Sequence, residues 1–406
     1  MRRILFGASL LAFVILSGCS SFSGFDFSPT VDRQGQPVVE GEKSEDALTF
    51  VQPVQAALLW TLNYAPLNGA DVRGLQVTGD EQYLYLAMPN GMVTAFHRSD
   101  QPTWVDQVAW QLLLDSPVLG GPLLHEGVLF VGTADGQLVA IEGQSGRVKW
   151  ARQLSSSVDA PLVVADNRLL VRTLDSQLYA VRLRDGEIVW QTSRAAPALA
   201  LQGESAPVLW QDKVIVGWEN GEVEALDWRT GNTLWRQRLA IPQGRDDLAR
   251  MVDVQAQPFI QDGRLYVAAF HGKLAAMDPD RGLLYWVKDL SSYRDMALFA
   301  DRLVSVDDDD QLLALDLITG ARIWQRDELK HRQLTDLRRW PATDQLVVGD
   351  QAGWIHWIEP LNGQVAGRMR HHSKPVVKLF PLDDNQMIVI DGEGYLSLYQ
   401  VSISHE

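Results

Sequence analysis

The chain has 406 residues, 46% of them hydrophobic and fourteen of them Trp, enough apolar material for a large core and too much for wholesale disorder. Its net charge is −15; Arg2 and Arg3 are the only charges in the first eighteen residues, so the remainder carries −17 and repels phosphate backbones, which disfavours nucleic acid as a partner. The one cysteine, Cys19, excludes an intrachain disulfide and a Cys-based zinc site.

The chain opens with a short basic segment, Met1-Arg2-Arg3, and a thirteen-residue apolar run, Ile4 to Leu16. That run is too short to cross a hydrocarbon core of roughly 30 Å, but it suits a secretory signal over residues 1–18. It ends in Leu16-Ser17-Gly18-Cys19, which resembles a bacterial lipobox. The resemblance implies that Cys19 becomes an acylated N-terminus; the alternative is a chance cysteine after an ordinary signal. Several acyl chains give stable anchoring, where one alone is marginal. In lipoproteins generally an Asp after the cysteine marks inner-membrane retention. Ser20 stands there, so the resemblance points to the outer membrane. From Ser20 to about Asp46 the sequence is rich in Gly, Ser, Pro and charge without a sustained period, and residues 19–55 are expected to form a lipidated, flexible tether.

Residues 56–402 are organised by an internal repeat. Its frame is a turn residue, Ala four positions on, Gly ten on and Trp fourteen on. It appears as Gly136/Ala140/Gly146/Trp150, Ser176/Ala180/Gly186/Trp190, Gly221/Ala225/Gly231/Trp235, Gly272/Ala276/Gly282/Trp286 and Asp310/Ala314/Gly320/Trp324. A degraded copy starts at Gly353 with Trp357 for Ala and Gly367 for Trp; an earlier one, Asn90-Gly91 with Ala95, reaches Trp110 after an insertion. Each copy predicts a buried strand such as 128–132, an Asp-Gly or Asn-Gly turn with both central residues at positive φ, an alternating strand such as 137–141, and a last strand delivering the Trp. With an upstream strand near 160–164 this is a four-stranded antiparallel blade of a β-propeller. The small Ala leaves room for the indole of the neighbouring strand. Trp60, Trp110, Trp150, Trp190, Trp235, Trp286 and Trp324 are accordingly expected to pack between blades; the sharper alternative is a stacking platform for a cofactor.

With Gly367, those positions count eight blades. The last copy, from Glu393 to Gln400, stops before its Trp strand, while an orphan strand, Ala57 to Leu62, stands at the other end. The two are expected to share a blade, closing the ring without a free edge.

The pattern Ala-x-Asp-x-x-Thr-Gly-x-x-x-Trp, clearest at Ala225–Trp235 and Ala314–Trp324, resembles the repeat of pyrroloquinoline-quinone dehydrogenases. Those enzymes stack their cofactor against a ring of adjacent cysteines, which a single Cys19 cannot supply, so the repeat implies architecture and no cofactor. Asp307-Asp308-Asp309-Asp310 is a tempting calcium site but reads better as a solvated turn. His371 and His372 precede a strand, and adjacent residues on a strand face opposite ways, which argues against a shared metal. No catalytic constellation is visible.

Two loops break the repeat. Ala195–Pro207 is apolar, with Leu199 and Leu201, and Ile241–Gln255 is charged. Both follow a Trp strand and precede the next blade, so they should lie side by side on one face, as a protein-binding patch requires. Taken together, the lipobox, the acidic domain, the repeats without a cysteine ring and the shared closing blade resemble the BamB family of the outer-membrane β-barrel assembly machinery, over essentially the whole chain. The most specific stretches are Leu199–Pro207 and Leu248–Gln255. The resemblance implies a scaffold lipoprotein without enzymatic activity, whose loops dock the periplasmic POTRA domains of the barrel subunit BamA and which meets unfolded barrel clients. It implies Leu199 and Leu201 as apolar anchors, Asp253 as acidic partner and Arg250 in support. Gln202 stands where the family commonly has Arg, and Gln255 where a second Asp is typical. A quinoprotein-like dehydrogenase and a propeller binding an envelope polymer are the other readings.

Overall fold

The structure, a computed structural model, describes residues 54–403 except 64–71, 73, 99–107, 198, 200, 202–204, 243–244, 246–250, 373 and 383–384. The expected signal, Cys19 and nearly all of the tether lie outside the described residues. Strands β1–β32 form eight four-stranded antiparallel sheets arranged as a ring, an eight-bladed propeller. Seven blades each take four consecutive strands: blade 1 is β2–β5 (Thr78–Leu113), blade 2 β6–β9 (Val118–Gln153), blade 3 β10–β13 (Val163–Ser193) and blade 4 β14–β17 (Val208–Arg238). Blade 5 is β18–β21 (Phe259–Asp289), blade 6 β22–β25 (Ala297–Arg326) and blade 7 β26–β29 (Arg338–Arg370).

Blade 8 joins the two ends. β30 (Val376–Pro381), β31 (Gln386–Asp391) and β32 (Tyr395–Ile403) are followed outward by β1 (Val54–Asn63), with Val54 opposite Ile403 and Asn63 opposite Tyr395. Closure through a shared blade leaves the first and last strands of the ring hydrogen-bonded to each other and, among the described residues, presents no open sheet edge along the ring.

Within a blade the middle strands are near-continuous apolar runs, such as Leu129–Val131 and Leu138–Ile141, because neighbouring blades cover both faces. The outer strand carries the Trp. The expected partnership is present, since Ala140, Ala180, Ala225, Ala276 and Ala314 face the Trp of their own blade across the ladder. A one-residue bulge precedes the Trp in each case, and also occurs at Trp60, Trp110 and Gly367, re-aiming the side chain along the strand.

The other wall of the seat belongs to the next blade. Trp110, Trp150, Trp190, Trp235, Trp286 and Trp324 lie against Gly146, Gly186, Gly231, Gly282, Gly320 and Gly363, where an added methyl would come within 2.6–2.7 Å of the indole. Each Nε1–H donates to a carbonyl of that same turn, from Trp110 to Gly143 at 2.7 Å through Trp324 to Pro360 at 3.0 Å. The repeated Trp is therefore inter-blade packing; Trp190 and Trp286 are buried and the other four half-buried, and a fully buried indole of this kind contributes on the order of 3 kcal/mol.

The exceptions follow from the closure. Blade 8 ends with β32 and receives its outer strand from β1, so it has no turn to seat a Trp from blade 7. Gly367 stands in that place, and the space on its blade is filled by Trp340 and Trp357, edge to face at 5.7 Å. The turns themselves depart from expectation. In blade 5 the positive φ falls on His271 (46°), one before the frame glycine. In other turns, such as those of Gly136 (86°), Gly221 (78°) and Asp310 (64°), it is the frame residue that takes it, and its N–H closes on the residue three before. These are three-residue type I connections ended by a left-handed residue.

Candidate functional site

The loops after β13 and β17 do meet. Ser205 Oγ donates to Val254 O at 3.2 Å, and the Gln257 amide brackets Ala206, accepting from its N–H at 2.8 Å and donating to its carbonyl at 3.0 Å. The second loop is itself held down. Val254 N–H donates to Trp218 O at 3.2 Å, Phe270 N–H to Asp253 O at 2.7 Å, and His271 Nδ1 lies 3.0 Å from Met251 O.

The two halves of the expected contact differ in access. Leu199 is 47% exposed and Leu201 half-buried. Asp253 and Gln255 are 3% and 6% exposed, set into the wall of the propeller with little of each side chain in reach of a partner. Gln202 and Arg250 lie outside the described residues.

Beneath the first loop is a charged network that the sequence reading did not find. Arg172 pairs with Glu219, donates from Nη1 to Ser205 O at 3.2 Å, and lies 5.2 Å over the Trp218 ring; Ser176 Oγ donates to Glu219 at 2.8 Å. Beside it Glu224 accepts from Arg194 Nε at 2.8 Å, Trp218 Nε1 at 3.0 Å and Arg236 Nη2 at 3.2 Å. Carboxylates so buried hold their charge only against such partners. The signal was present in the repeat frame. Glu224 occupies the slot that Val139 and Tyr179 fill in blades 2 and 3, and Trp218 is a Trp outside the frame.

A second chain of hydrogen bonds runs along the inner rim. Gln257 N–H donates to Asp295 at 2.8 Å, Asp295 N–H to Asp336 at 3.0 Å, and Arg338 reaches Asp295 at 2.9 Å and Asp336 at 3.2 Å. Burial, then the Asp336 charge, push the Asp295 carboxyl above its ordinary value. Gln257, Asp295 and Arg338 line an axial cavity of about 320 Å³ with Leu75, Ala206 and Lys378, and the hydrogen bonds tie the loop pair through the rim to blades 6 and 7.

Two readings are corrected. The Asp307–Asp310 turn is not simply solvated. Asp310 is buried, ion-paired with Arg294 at 2.7 Å and accepting from Gln333 and Leu334 N–H. His371 and His372 lie just past the end of β29, and their rings are 4.1 Å apart at the centroids, so strand alternation does not separate them.

Comparisons with known proteins match this architecture. The family model described as "Outer membrane protein assembly factor BamB" matches residues 57–326. A relative of that name from Escherichia coli K12 is 32% identical over 375 residues, covering 91% of this chain and 92% of the relative. The crystal structure of BamB from Moraxella catarrhalis superposes with a TM-score of 0.74 at 23% identity, over 85% of this chain and all of that one. A quinohemoprotein alcohol dehydrogenase from Pseudomonas putida superposes at 0.64 with 12% identity, over 85% of this chain and 76% of that one, a likeness of fold alone.

Proposed function

The chain belongs to the BamB family of outer membrane protein assembly factors, and from that premise we propose that it is a scaffold without catalytic activity, docking POTRA domains of a BamA-like barrel subunit through its two repeat-breaking loops. The observation that carries this is the union of those loops, bonded through Ser205 and Val254 and through Ala206 and Gln257, with Leu199 standing out beside the join. An exposed leucine beside a join held at Ser205 and Ala206 is the kind of apolar group a partner covers. Leu199 and Leu201 are the anchors in this reading. Asp253 and Gln255 shape the floor.

Residues 1–18 act as the export signal, acylated Cys19 anchors the chain in the outer membrane, and residues up to about 55 tether the propeller on the periplasmic side. Barrel clients meet the assembled complex, and the propeller's part is to hold the POTRA arm. Membrane solubilisation and capture of the full chain tests the reading. It predicts recovery of a POTRA-bearing barrel protein, lost on Leu199→Asp or Leu201→Asp. Dye reduction dependent on an added quinone cofactor would support a dehydrogenase instead.

A further inference from the structure

The exit loop of blade 7 and the closing blade bring three metal-ligating side chains together. His371, His372 and Asp391 each place a donor atom within 4.8 Å of the other two. The backbone is fixed from both sides: His371 N–H donates to Gly353 O at 2.9 Å, and Gly392 N–H to Pro375 O at 2.9 Å. Gly353 has φ 85°, and a methyl there would collide with the His372 carbonyl, so the frame glycine of blade 7 is what lets this loop pass.

The propeller supplies its own control for Asp391. The equivalent residues of blades 6 and 7, Asp307 and Asp350, use Oδ1 as Asp391 does, accepting two backbone N–H groups of their turn at 2.8–3.0 Å. In blade 7 the second oxygen of Asp350 is also satisfied, by His356 Nε2 at 3.0 Å and Arg332 at 3.1 Å. In blade 8 Asp391 Oδ2 and His371 Nε2, both fully buried, face each other at 3.4 Å and make no hydrogen bond. That separation is long for a hydrogen bond but matches the edge of a tetrahedron with metal–ligand bonds of about 2.05 Å, which is about 3.35 Å. The far nitrogen of His371 is already held, Nδ1 lying 2.8 Å from Tyr399 Oη, the orienting bond that a metal-bound imidazole needs. His372 stands exposed beside them, its ring 4.1 Å from that of His371 between centroids.

We propose that His371, His372 and Asp391 bind one divalent first-row metal ion, zinc above all, stapling the exit of blade 7 to the blade that closes the ring. His371 binds through Nε2 with Nδ1–H donating to Tyr399, Asp391 through Oδ2 and His372 from the solvent side, leaving the fourth position to water. With three protein ligands the site is an ordinary zinc stoichiometry, and its location makes metal binding add to the stability of closure.

The test is calorimetric titration of zinc into the untagged full chain after chelator treatment. One saturating equivalent per chain is expected, with a rise in the melting temperature. His372→Ala, an exposed change, lowers the affinity at least about tenfold and removes the rise, whereas His97→Ala leaves both intact. Asp391→Asn, scored only if its circular dichroism matches the parent, removes binding. Absence of a saturable site in the parent chain, or an affinity unmoved by His372→Ala, overturns the proposal.

Discussion

The indole of Trp190 in blade 3 lies on Gly231 of blade 4 and donates its N–H to the carbonyl of Trp228 in the same turn at 2.9 Å. One turn thus supplies a surface for the ring and an acceptor for its polar edge, and six such contacts carry the ring from blade 1 to blade 7.

Gly231 and Gly263 separate the seat from the backbone. Both have left-handed φ, 73° and 71°, but a methyl at Gly231 would lie 2.7 Å from the Trp190 ring, whereas at Gly263 it meets nothing within 4 Å. Gly263→Ala should cost about 1 kcal/mol for the backbone alone. Gly231→Ala adds overpacking and should cost roughly 2–4 kcal/mol. Urea unfolding of the two variants decides it. Equal losses would mean that the glycine serves only the turn.

Restoring the repeat at its gap should do harm. Gly367 faces buried Trp357 across the ladder, and blade 8 offers no turn to receive an indole. Gly367→Trp is expected to lower the melting temperature by several degrees, in line with overpacking of about 1–3 kcal/mol. An unchanged or higher melting temperature would contradict this account of closure.

The Arg172–Glu219 pair roots the first loop. Glu219→Gln leaves the Arg172 charge buried beside neutral groups, and stability should fall by roughly 3–5 kcal/mol. Amide exchange should rise at Ser205 and Ala206 even where the propeller stays folded. If exchange there is unchanged, the pair does not hold the loop.

His356 sets a pH dependence. It is buried with Nε2–H donating to Asp350 at 3.0 Å, and it faces Arg332 and Arg368 besides. Burial disfavours imidazolium more than Asp350 favours it, so its pKa lies below the ordinary 6.5. The unfolded chain therefore takes up the proton first as pH falls below about 6.5, and stability present above that pH is lost on the way down. Asp350, held below its ordinary 3.8 by His356 and Arg332 against the effect of burial, acts only at more acid pH. His356→Leu should flatten the decline in urea midpoint between pH 7.5 and 5.5. A parent chain with no decline there would refute it.

The fold was legible because each blade repeats one chemical solution, with Ala opposite Trp at fixed spacing. The frame glycine that seats the indole was equally visible, yet it read only as a turn residue, since the seat is completed by a different blade. In the candidate site, the loop that breaks the repeat was legible by its apolar character, while Leu199 and Leu201 as its anchors came from the family resemblance. The burial of Asp253 was not, because it depends on Val254 and Phe270 binding the loop to two blades at once. Glu224 and His356 were missed for one reason: both occupy a core slot of the frame, where a polar residue signals a buried polar partner that the repeat pattern does not reveal.

The central claim is that the two loops form a docking surface anchored by leucine. The most direct measurement is recovery of the POTRA-bearing barrel subunit with the captured full chain, in parent and Leu199→Asp forms of equal melting temperature. The account predicts recovery with the parent and at least about a tenfold loss with the variant, as for a central apolar anchor worth 2 kcal/mol or more. Equal recovery by both would contradict it.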